Sequence, residues 1–184
     1  EISPARIHPM ANEPRHLWLL GLSGSGKSTI GPRLARALAM PWVDTDAEIA
    51  RDAGKPIPEI FRQEGEEGFR QRESRILEKI AAGPASIVSC GGGVVIRDTN
   101  RHRMTTTGLR IYLQTDPATL AQRLRASQDR PLLAGDQRET TLQKLLAARS
   151  PWYEESELSI DVTHLKPDEV VSAIQKKLPV PWSR

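Results

Sequence analysis

The sequence predicts an α/β protein in three layers (α/β/α), in which a central parallel sheet of about five strands lies between helices. Short apolar runs that suit buried strands alternate with segments of helical periodicity along the chain. One such run, residues 16–20, is followed directly by a glycine-rich turn and then by an amphipathic helix. With 184 residues, the chain is long enough for one domain with a substantial core.

The glycine-rich turn, GLSGSGKS at residues 21–28, fits the phosphate-binding loop pattern of glycine, four residues, Gly-Lys and Ser or Thr. Its glycines let backbone N–H groups turn inward on a phosphate, and the start of the next helix adds partial positive charge. A chance match is the alternative, but the preceding strand and the following helix argue against it. The expected nucleotide-binding residues are Gly24, Ser25, Gly26, Lys27, Ser28 and Thr29.

Two of these residues have specific expected roles. Lys27 would reach the β- and γ-phosphates of a nucleoside triphosphate, and the Ser28 hydroxyl would hold Mg²⁺. The loop therefore predicts a triphosphate site but does not identify the group that receives phosphate.

Composition narrows the class of protein. The formal net charge of +3 is spread along the chain, which suits an enzyme of anionic substrates and does not indicate nucleic-acid binding. Cys90 is the one cysteine, so an internal disulfide is excluded and a reducing compartment fits. No apolar run is long enough to span a membrane. We expect a cytoplasmic monomer that binds neither nucleic acid nor membrane.

Residues 1–15 differ from the rest of the chain, since they contain three prolines and lack a periodic apolar pattern. The chain also starts at Glu1 rather than Met. We expect a disordered leader here, a tag, or a linker to a fused domain. Residues 16–184 are expected to form a single domain.

An acidic pair follows the second predicted strand, residues 41–44, as Asp44-Thr45-Asp46. On an extended segment, side chains two residues apart point the same way, so both carboxylates would face one site. Asp44 would then be a direct or water-mediated Mg²⁺ ligand, and Asp46 would accept a proton from a substrate hydroxyl. The alternative is that Asp46 only caps the helix predicted from residue 47.

A long helix is predicted over residues 66–81, after Gly65 stops a short helix over 59–64. Arg70 and Glu73 lie three residues apart on the long helix and are therefore neighbours on its surface. Taken alone, this spacing is more typical of a solvated ion pair than of a binding site.

Three consecutive glycines, Gly91, Gly92 and Gly93, follow the third predicted strand, residues 86–90. At the carboxyl end of a parallel strand, they would let a ligand approach backbone N–H groups closely. A loose loop is the alternative.

The second half of the chain continues the alternation, with predicted strands over 109–113 and 158–162 and predicted helices over 98–106, 117–126, 139–148 and 168–178. The polar stretch at about residues 127–137 is expected to be a mobile lid loop, in which Arg130 would close over a phosphate. Most loop arginines, however, are only solvated. Pro151 is expected to bend or break the helix before it.

These motifs stand in one order: the phosphate-binding loop, Asp-Thr-Asp, Gly-Glu-Glu-Gly-Phe-Arg, the triple glycine, Arg-Pro-Leu-Leu, and Arg-Ser-Pro-Trp-Tyr. Together they resemble shikimate kinases, which are P-loop NTPases similar to nucleoside-monophosphate kinases. The resemblance covers about residues 17–178, and the combination is specific although the phosphate-binding loop alone is not. It implies Mg²⁺- and ATP-dependent phosphorylation of the 3-hydroxyl of shikimate, giving shikimate 3-phosphate and ADP in chorismate and aromatic amino acid biosynthesis.

The resemblance also implies roles for residues on the acceptor side. Asp46 would bind the ring hydroxyls of shikimate and be the candidate base for its 3-hydroxyl. Arg70 and Arg149 would hold the shikimate carboxylate, with Glu73 orienting Arg70. Gly92 would offer its backbone N–H, and Gly91 and Gly93 would belong to the same substrate-binding turn.

On the nucleotide side, the resemblance places Lys27 on the ATP phosphates and Arg123 against adenine, with Lys166 and Pro167 on the other side of the base. Arg130 would touch the transferring phosphoryl group. The catalytic residues implied in this way are Lys27, Asp46 and Arg130, and the metal-binding residues are Ser28 and Asp44.

Two other functions remain open from the sequence. Ser23 stands where shikimate kinases often carry Met, and Gly-Leu-Ser-Gly-Ser-Gly also resembles gluconate kinases. A non-catalytic shikimate-kinase-like ligand-sensing domain of a fused regulator is the second alternative. Such a sensor can lose the acidic pair or the arginines, whereas this chain has them all.

Overall fold

A computed structural model of the chain describes residues 15–125, 138–179 and 182. Five parallel strands form one sheet in the order β2-β3-β1-β4-β5. They are β1 (His16–Leu20), β2 (Trp42–Asp44), β3 (Ile87–Ser89), β4 (Gly108–Gln114) and β5 (Leu158–Asp161). The predicted parallel sheet of about five strands is confirmed.

Seven α-helices and one short 3₁₀ helix connect the strands within the described ranges. The helices are α1 (Lys27–Leu38), α2 (Thr45–Ala53), α3 (Ile57–Ala81), α4 (Asp98–Thr107), α5 (Pro117–Arg125), α6 (Arg138–Glu154) and α7 (Pro167–Lys177), and the 3₁₀ turn is Val94–Ile96. In the part of the chain that the structure describes, no helix is both long and apolar enough to cross a membrane. Residues 1–14 of the predicted leader lie outside the described residues, and so does the predicted lid with Arg130.

The central strand β1 is buried on both faces of the sheet. Successive side chains of a strand point to opposite faces, so Trp18 and Leu20 join one core while Leu17 and Leu19 join another. The first core takes side chains from α3, α4, α5 and α6, and the second takes them from α1 and α7. The three predicted layers are confirmed, and the turn after β1 is held between two packed cores.

A smaller core joins α2 to α3 and consists of Ile49, Ile60, Phe69 and Ile76. Gly65 interrupts the helical path of α3 with φ 69° and ψ −174°, a conformation that favours glycine. The predicted change of helix at Gly65 is therefore confirmed. The small core therefore holds α2 against α3.

Pro151 was expected to bend or break the helix, and the break is wrong, because α6 continues through Pro151 to Glu154. Proline lacks a backbone N–H, so the helix gives up one hydrogen bond there. Tyr153, two residues further on, is completely buried in the first core. Burial of a large aromatic side chain contributes about 1.5–3 kcal/mol, which favours continuing the helix over ending it.

His16 at the start of β1 gives the fold a dependence on pH. The ring is buried, and its Nδ1 lies 3.1 Å from the Ser86 hydroxyl. Burial lowers the pKa of His16 below its usual value of 6.5, against the opposing effect of nearby backbone groups. As the pH falls through about 6.5, the unfolded chain therefore takes up a proton before the folded chain does, and stability falls.

We predict that His16→Asn lessens the loss in free energy of unfolding between pH 7.5 and pH 5.5, measured by urea denaturation. His102→Asn is the matched control, because His102 is exposed on α4 and should leave the wild-type loss unchanged. An equal loss in His16→Asn and wild type would contradict the prediction.

Candidate active site

The phosphate-binding loop joins β1 to α1 at the carboxyl edge of the sheet. Gly24 and Gly26 have φ values of 86° and 98°, which L side chains rarely adopt. Lys27 Nζ donates to the carbonyl oxygens of Gly21 at 2.7 Å and Leu22 at 2.8 Å. The loop thus holds a buried ammonium group at the amino end of α1, an arrangement that attracts phosphate.

Asp44 links the phosphate-binding loop to α2. Its Oδ2 accepts a hydrogen bond from Ser28 Oγ at 3.0 Å, and its Oδ1 accepts from the backbone N–H groups of Asp46 and Ala47 at 3.0 and 3.1 Å. Asp44 is therefore the N-cap of α2, and the alternative that Asp46 is the cap is wrong. The extended geometry expected for residues 44–46 is also wrong, because α2 begins at Thr45.

The Ser28 and Asp44 oxygens form a compact pair of hard ligands at the loop. Within the described ranges, no group of three or more His, Cys, Asp or Glu residues could hold a metal ion. Mg²⁺ commonly takes only one or two protein carboxylates and completes its shell with phosphate oxygens and water. The pair therefore fits a Mg²⁺ ion that arrives with a nucleotide.

A cavity of about 500 Å³ runs along the carboxyl edge of the sheet. The strand order divides it, because β2 and β3 lie on one side of β1 while β4 and β5 lie on the other. Ligands of parallel α/β sheets bind where the strand order reverses in this way. Its lining consists of residues 23–30, Asp44, Asp46, Cys90, Gly91, Gly92, Arg123, Leu124, Val162, Leu165, Pro167 and Val170.

On the β4–β5 side, Arg123 is held between the phosphate-binding loop and the turn after β5. Its guanidinium donates to the carbonyl oxygens of Gly24 at 3.4 Å, Val162 at 3.2 Å and Thr163 at 3.4 Å. Arg123 also lines the cavity, and the three backbone carbonyl groups fix its position there.

The loop before α7 completes this side of the cavity. Pro167 lines it, whereas Lys166 does not, and the backbone N–H of Lys166 donates to Glu169 Oε2 at 2.7 Å at the start of α7. Leu165 lines it instead and is 36% exposed, unusually so for a large apolar side chain. We did not predict Leu165 from the sequence, although one apolar residue in a polar loop was the available signal.

On the β2–β3 side, Arg70 and Glu73 form a buried pair. Arg70 Nη1 donates to Glu73 Oε2 at 2.9 Å, and the Glu73 side chain is 1% exposed. Burial raises the pKa of Glu73 to about 7, opposed by Arg70 and reinforced by Asp46. The interpretation of residues 70 and 73 as a solvated surface pair is wrong.

The triple glycine is an ordered turn that leads into the 3₁₀ helix, so the alternative of a loose loop is wrong. Gly91 O accepts from Val94 N at 3.1 Å, and Gly93 O accepts from Ile96 N at 3.0 Å. A Cβ at Gly93 would lie 2.2–2.4 Å from three guanidinium atoms of Arg70. A side chain at position 93 would therefore displace the buried guanidinium of Arg70.

Gly91 has a similar steric role on the other side of the turn. A Cβ there would lie 2.7 Å from Asp46 Oδ1 and 3.0 Å from Glu73 Oε1. The two carboxylates therefore approach the same backbone atom, and Thr45 Oγ1 accepts the Gly91 N–H at 2.8 Å. Sequence spacing indicated an exposed backbone at the glycines and did not indicate these contacts.

Arg149 reaches the same turn from α6 and donates from Nη1 to Gly92 O at 3.2 Å. Arg70, Gly93 and Arg149 are not part of the cavity lining, but they lie directly behind Gly91 and Gly92, which are. The structure thus brings the predicted acceptor residues together around one turn.

The phosphate-binding loop, Asp46 and the glycine turn line one cavity, and Arg70 and Arg149 contact that turn. This fold and cavity define a P-loop kinase of small molecules. Residues 23–179 match the family model described as shikimate kinase. The chain is 40% identical over 164 residues to the shikimate kinase of Dechloromonas aromatica, covering 89% of this chain and 90% of that protein. It belongs to the shikimate kinase family and is an enzyme.

Solved structures agree with this assignment. The shikimate kinase from Acinetobacter baumannii in complex with shikimate is 33% identical, with a TM-score of 0.85 over 90% of this chain and 96% of that one. A gluconokinase from Sinorhizobium meliloti 1021 is 22% identical over 88% of this chain and 90% of that one, with a TM-score of 0.59, and it shares the fold alone. The gluconate-kinase alternative is therefore not favoured.

Burial of the Glu73 carboxyl makes the stability of the fold depend on pH with a sign opposite to that of the His16 effect. Because its pKa rises from 4.5 to about 7 on folding, the folded chain binds a proton that the unfolded chain releases, and this stabilisation is lost as the pH rises through 7. We predict that the free energy of unfolding of Glu73→Gln, measured by urea denaturation, rises relative to that of wild type as the pH is raised from 5.5 to 8.

Glu64→Gln is the matched control for this measurement. Arg72 and Lys55 lower the pKa of Glu64 to about 2, so that residue stays charged over the whole range and its effect should not change with pH. A Glu73→Gln effect of equal size at pH 5.5 and pH 8 would contradict the prediction.

Proposed function

We propose that this chain transfers the γ-phosphoryl group of ATP to the 3-hydroxyl of shikimate, giving shikimate 3-phosphate and ADP, as a step of chorismate and aromatic amino acid biosynthesis. The observation that carries the proposal is that Asp46 and the phosphate-binding loop line one cavity. Arg70 and Arg149 converge on the glycine turn at its wall. Shikimate, a small carboxylate with vicinal hydroxyls, has the groups that these side chains recognise.

In the transfer, the shikimate O3 forms a bond to the γ-phosphorus while the bond from that phosphorus to the bridging oxygen of ADP breaks. The hydroxyl proton passes to the Asp46 carboxylate, which is the candidate base. Such transfers depend mainly on positioning and on neutralising the charge of the phosphoryl oxygens. Lys27 supplies one cation for this purpose. Arg130, which lies outside the described residues, is proposed as a second.

On the nucleotide side, we assign the β- and γ-phosphates to Lys27 and the backbone N–H groups of residues 24–29. Arg123 and Pro167 are assigned to the two sides of adenine, and the exposed Leu165 beside them adds apolar surface. Lys166 is proposed only as a neighbour of this site, since its side chain does not line the cavity.

Ser28 and Asp44 are the proposed protein ligands of Mg²⁺, with the nucleotide phosphates completing the site. When bound, Mg²⁺ neutralises charge on the phosphates. Because Asp44 also caps α2, it holds the start of the helix that carries Asp46 at a fixed distance from the loop.

On the acceptor side, we assign the shikimate carboxylate to Arg70 and Arg149. A planar guanidinium can bind a carboxylate with two parallel hydrogen bonds. The buried Glu73 fixes Arg70 through Nη1, and Gly92 is proposed to donate its backbone N–H.

We further propose that residues 16–184 form one domain, that the protein is a monomer and that it is located in the cytoplasm. A ligand-sensing domain without activity is less well supported, because Asp44, Asp46 and both arginines are retained in the site.

A shikimate-dependent ADP-release assay with ATP and Mg²⁺ tests the proposed function. We expect turnover with shikimate, no turnover with gluconate, and loss of turnover when EDTA removes the metal. Lys27→Ala is the inactive reference, since it removes the phosphate-binding ammonium. Turnover of gluconate and not of shikimate would contradict the proposal, and ligand binding without any turnover would favour the sensor.

Asp46→Asn should lower kcat by roughly 10²-fold or more, because an amide cannot accept the hydroxyl proton. ATP binding, followed with a fluorescent ATP analogue, should stay near the wild-type level. Asp52→Asn is the matched control, since it makes the same change in α2 on a residue that pairs with Lys79 outside the cavity. A kcat within threefold of wild type would rule out Asp46 as the base.

A further inference from the structure

The carbonyl group of Gly92 differs from the two beside it. Gly91 O and Gly93 O accept backbone N–H groups from the 3₁₀ helix. Gly92 O accepts instead from two side chains of α6, the Arg149 guanidinium and the Tyr153 hydroxyl. The orientation of the peptide group between Gly92 and Gly93 is therefore set by α6.

Tyr153 is the more firmly fixed of these two donors. It is completely buried, and its ring stacks on Tyr112 with centroids 5.0 Å apart and an interplanar angle of 16°. Burial raises the pKa of the Tyr153 hydroxyl, opposed by the neighbouring Arg149, so the group keeps its proton and remains a donor. Arg149 is only half-buried.

Arg149 and Tyr153 are four residues apart and therefore lie on the same face of α6, which Pro151 does not interrupt. The hydroxyl holds the Gly92 carbonyl, and the carbonyl in turn accepts one N–H of the guanidinium. Since guanidinium is a rigid planar fork, holding one of its edges aims the other edges. Tyr153 and Arg149 thus meet at Gly92 O, and the Tyr153 hydroxyl also interacts directly with the Arg149 guanidinium.

We propose that Tyr153 is a positioning residue for the acceptor, which sets the direction of Arg149 through the shared Gly92 carbonyl and through its own contact with the guanidinium. This inference rests on the proposed function, in which Arg149 binds the shikimate carboxylate. Tyr153 itself lies behind the turn and touches neither substrate. Its loss should therefore affect acceptor binding and leave nucleotide binding unchanged.

Tyr153→Phe tests the proposal, because it removes the hydroxyl while keeping the ring and its stack. We expect a roughly five- to tenfold rise in KM for shikimate, as loss of one hydrogen bond produces, with kcat within about threefold and KM for ATP unchanged. Tyr112→Phe is the matched control: that ring is the other half of the stack, and the hydroxyl makes no hydrogen bond within the part of the chain that the structure describes. It should leave both KM values unchanged.

A double-mutant cycle with Arg149→Ala tests whether Tyr153 acts through Arg149. Shikimate binding to each variant is measured by calorimetry. If Tyr153 acts through Arg149, Tyr153→Phe should change shikimate binding less than twofold in the Arg149→Ala background. An undiminished effect in that background, or an unchanged KM in Tyr153→Phe alone, would overturn the inference. Lack of shikimate turnover by the wild-type enzyme would instead refute the proposed function.

Discussion

The parallel direction of all five strands is the constraint on which the rest of this molecule depends. Because every strand ends at the same edge, the phosphate-binding loop after β1, the acidic residues after β2 and the glycine turn after β3 must meet there. Burial of β1 between two cores makes this edge rigid. The residues of the proposed nucleotide and acceptor sites therefore meet at one cavity although they are scattered along the chain.

The acceptor side concentrates charge in the protein interior, and this requires unusually close packing. Arg70 and Glu73 are buried beside Gly93 and Gly91, and the half-buried Asp46 lies beside Gly91 at the cavity. Buried charges are costly unless they are paired, and Glu73 responds with a pKa raised to about 7. At neutral pH Glu73 is therefore only partly ionised, while its Oε2 still accepts a hydrogen bond from Arg70.

Local patterns in the sequence predicted nearly every helix and strand, and the phosphate-binding loop, because each depends on neighbouring residues. Predictions failed where the outcome depended on distant contacts. Pro151 predicted a bend or a break, but α6 is not broken there and continues to the buried Tyr153. The acidic pair was expected on an extended segment, yet Asp44 caps α2 and ends that segment early. The contacts of Gly93 with Arg70, and of Tyr153 with Gly92, join distant parts of the chain and leave no local pattern.

The contact between Gly93 and Arg70 also restricts how this site can change during evolution. A side chain at position 93 would occupy the space of the guanidinium, so a substitution there would move Arg70 away from its contact with Glu73. A shorter residue at 70 would in turn leave Glu73 buried without its cation. The three positions therefore form a unit in which single substitutions are penalised, and a new acceptor specificity would need several coordinated replacements.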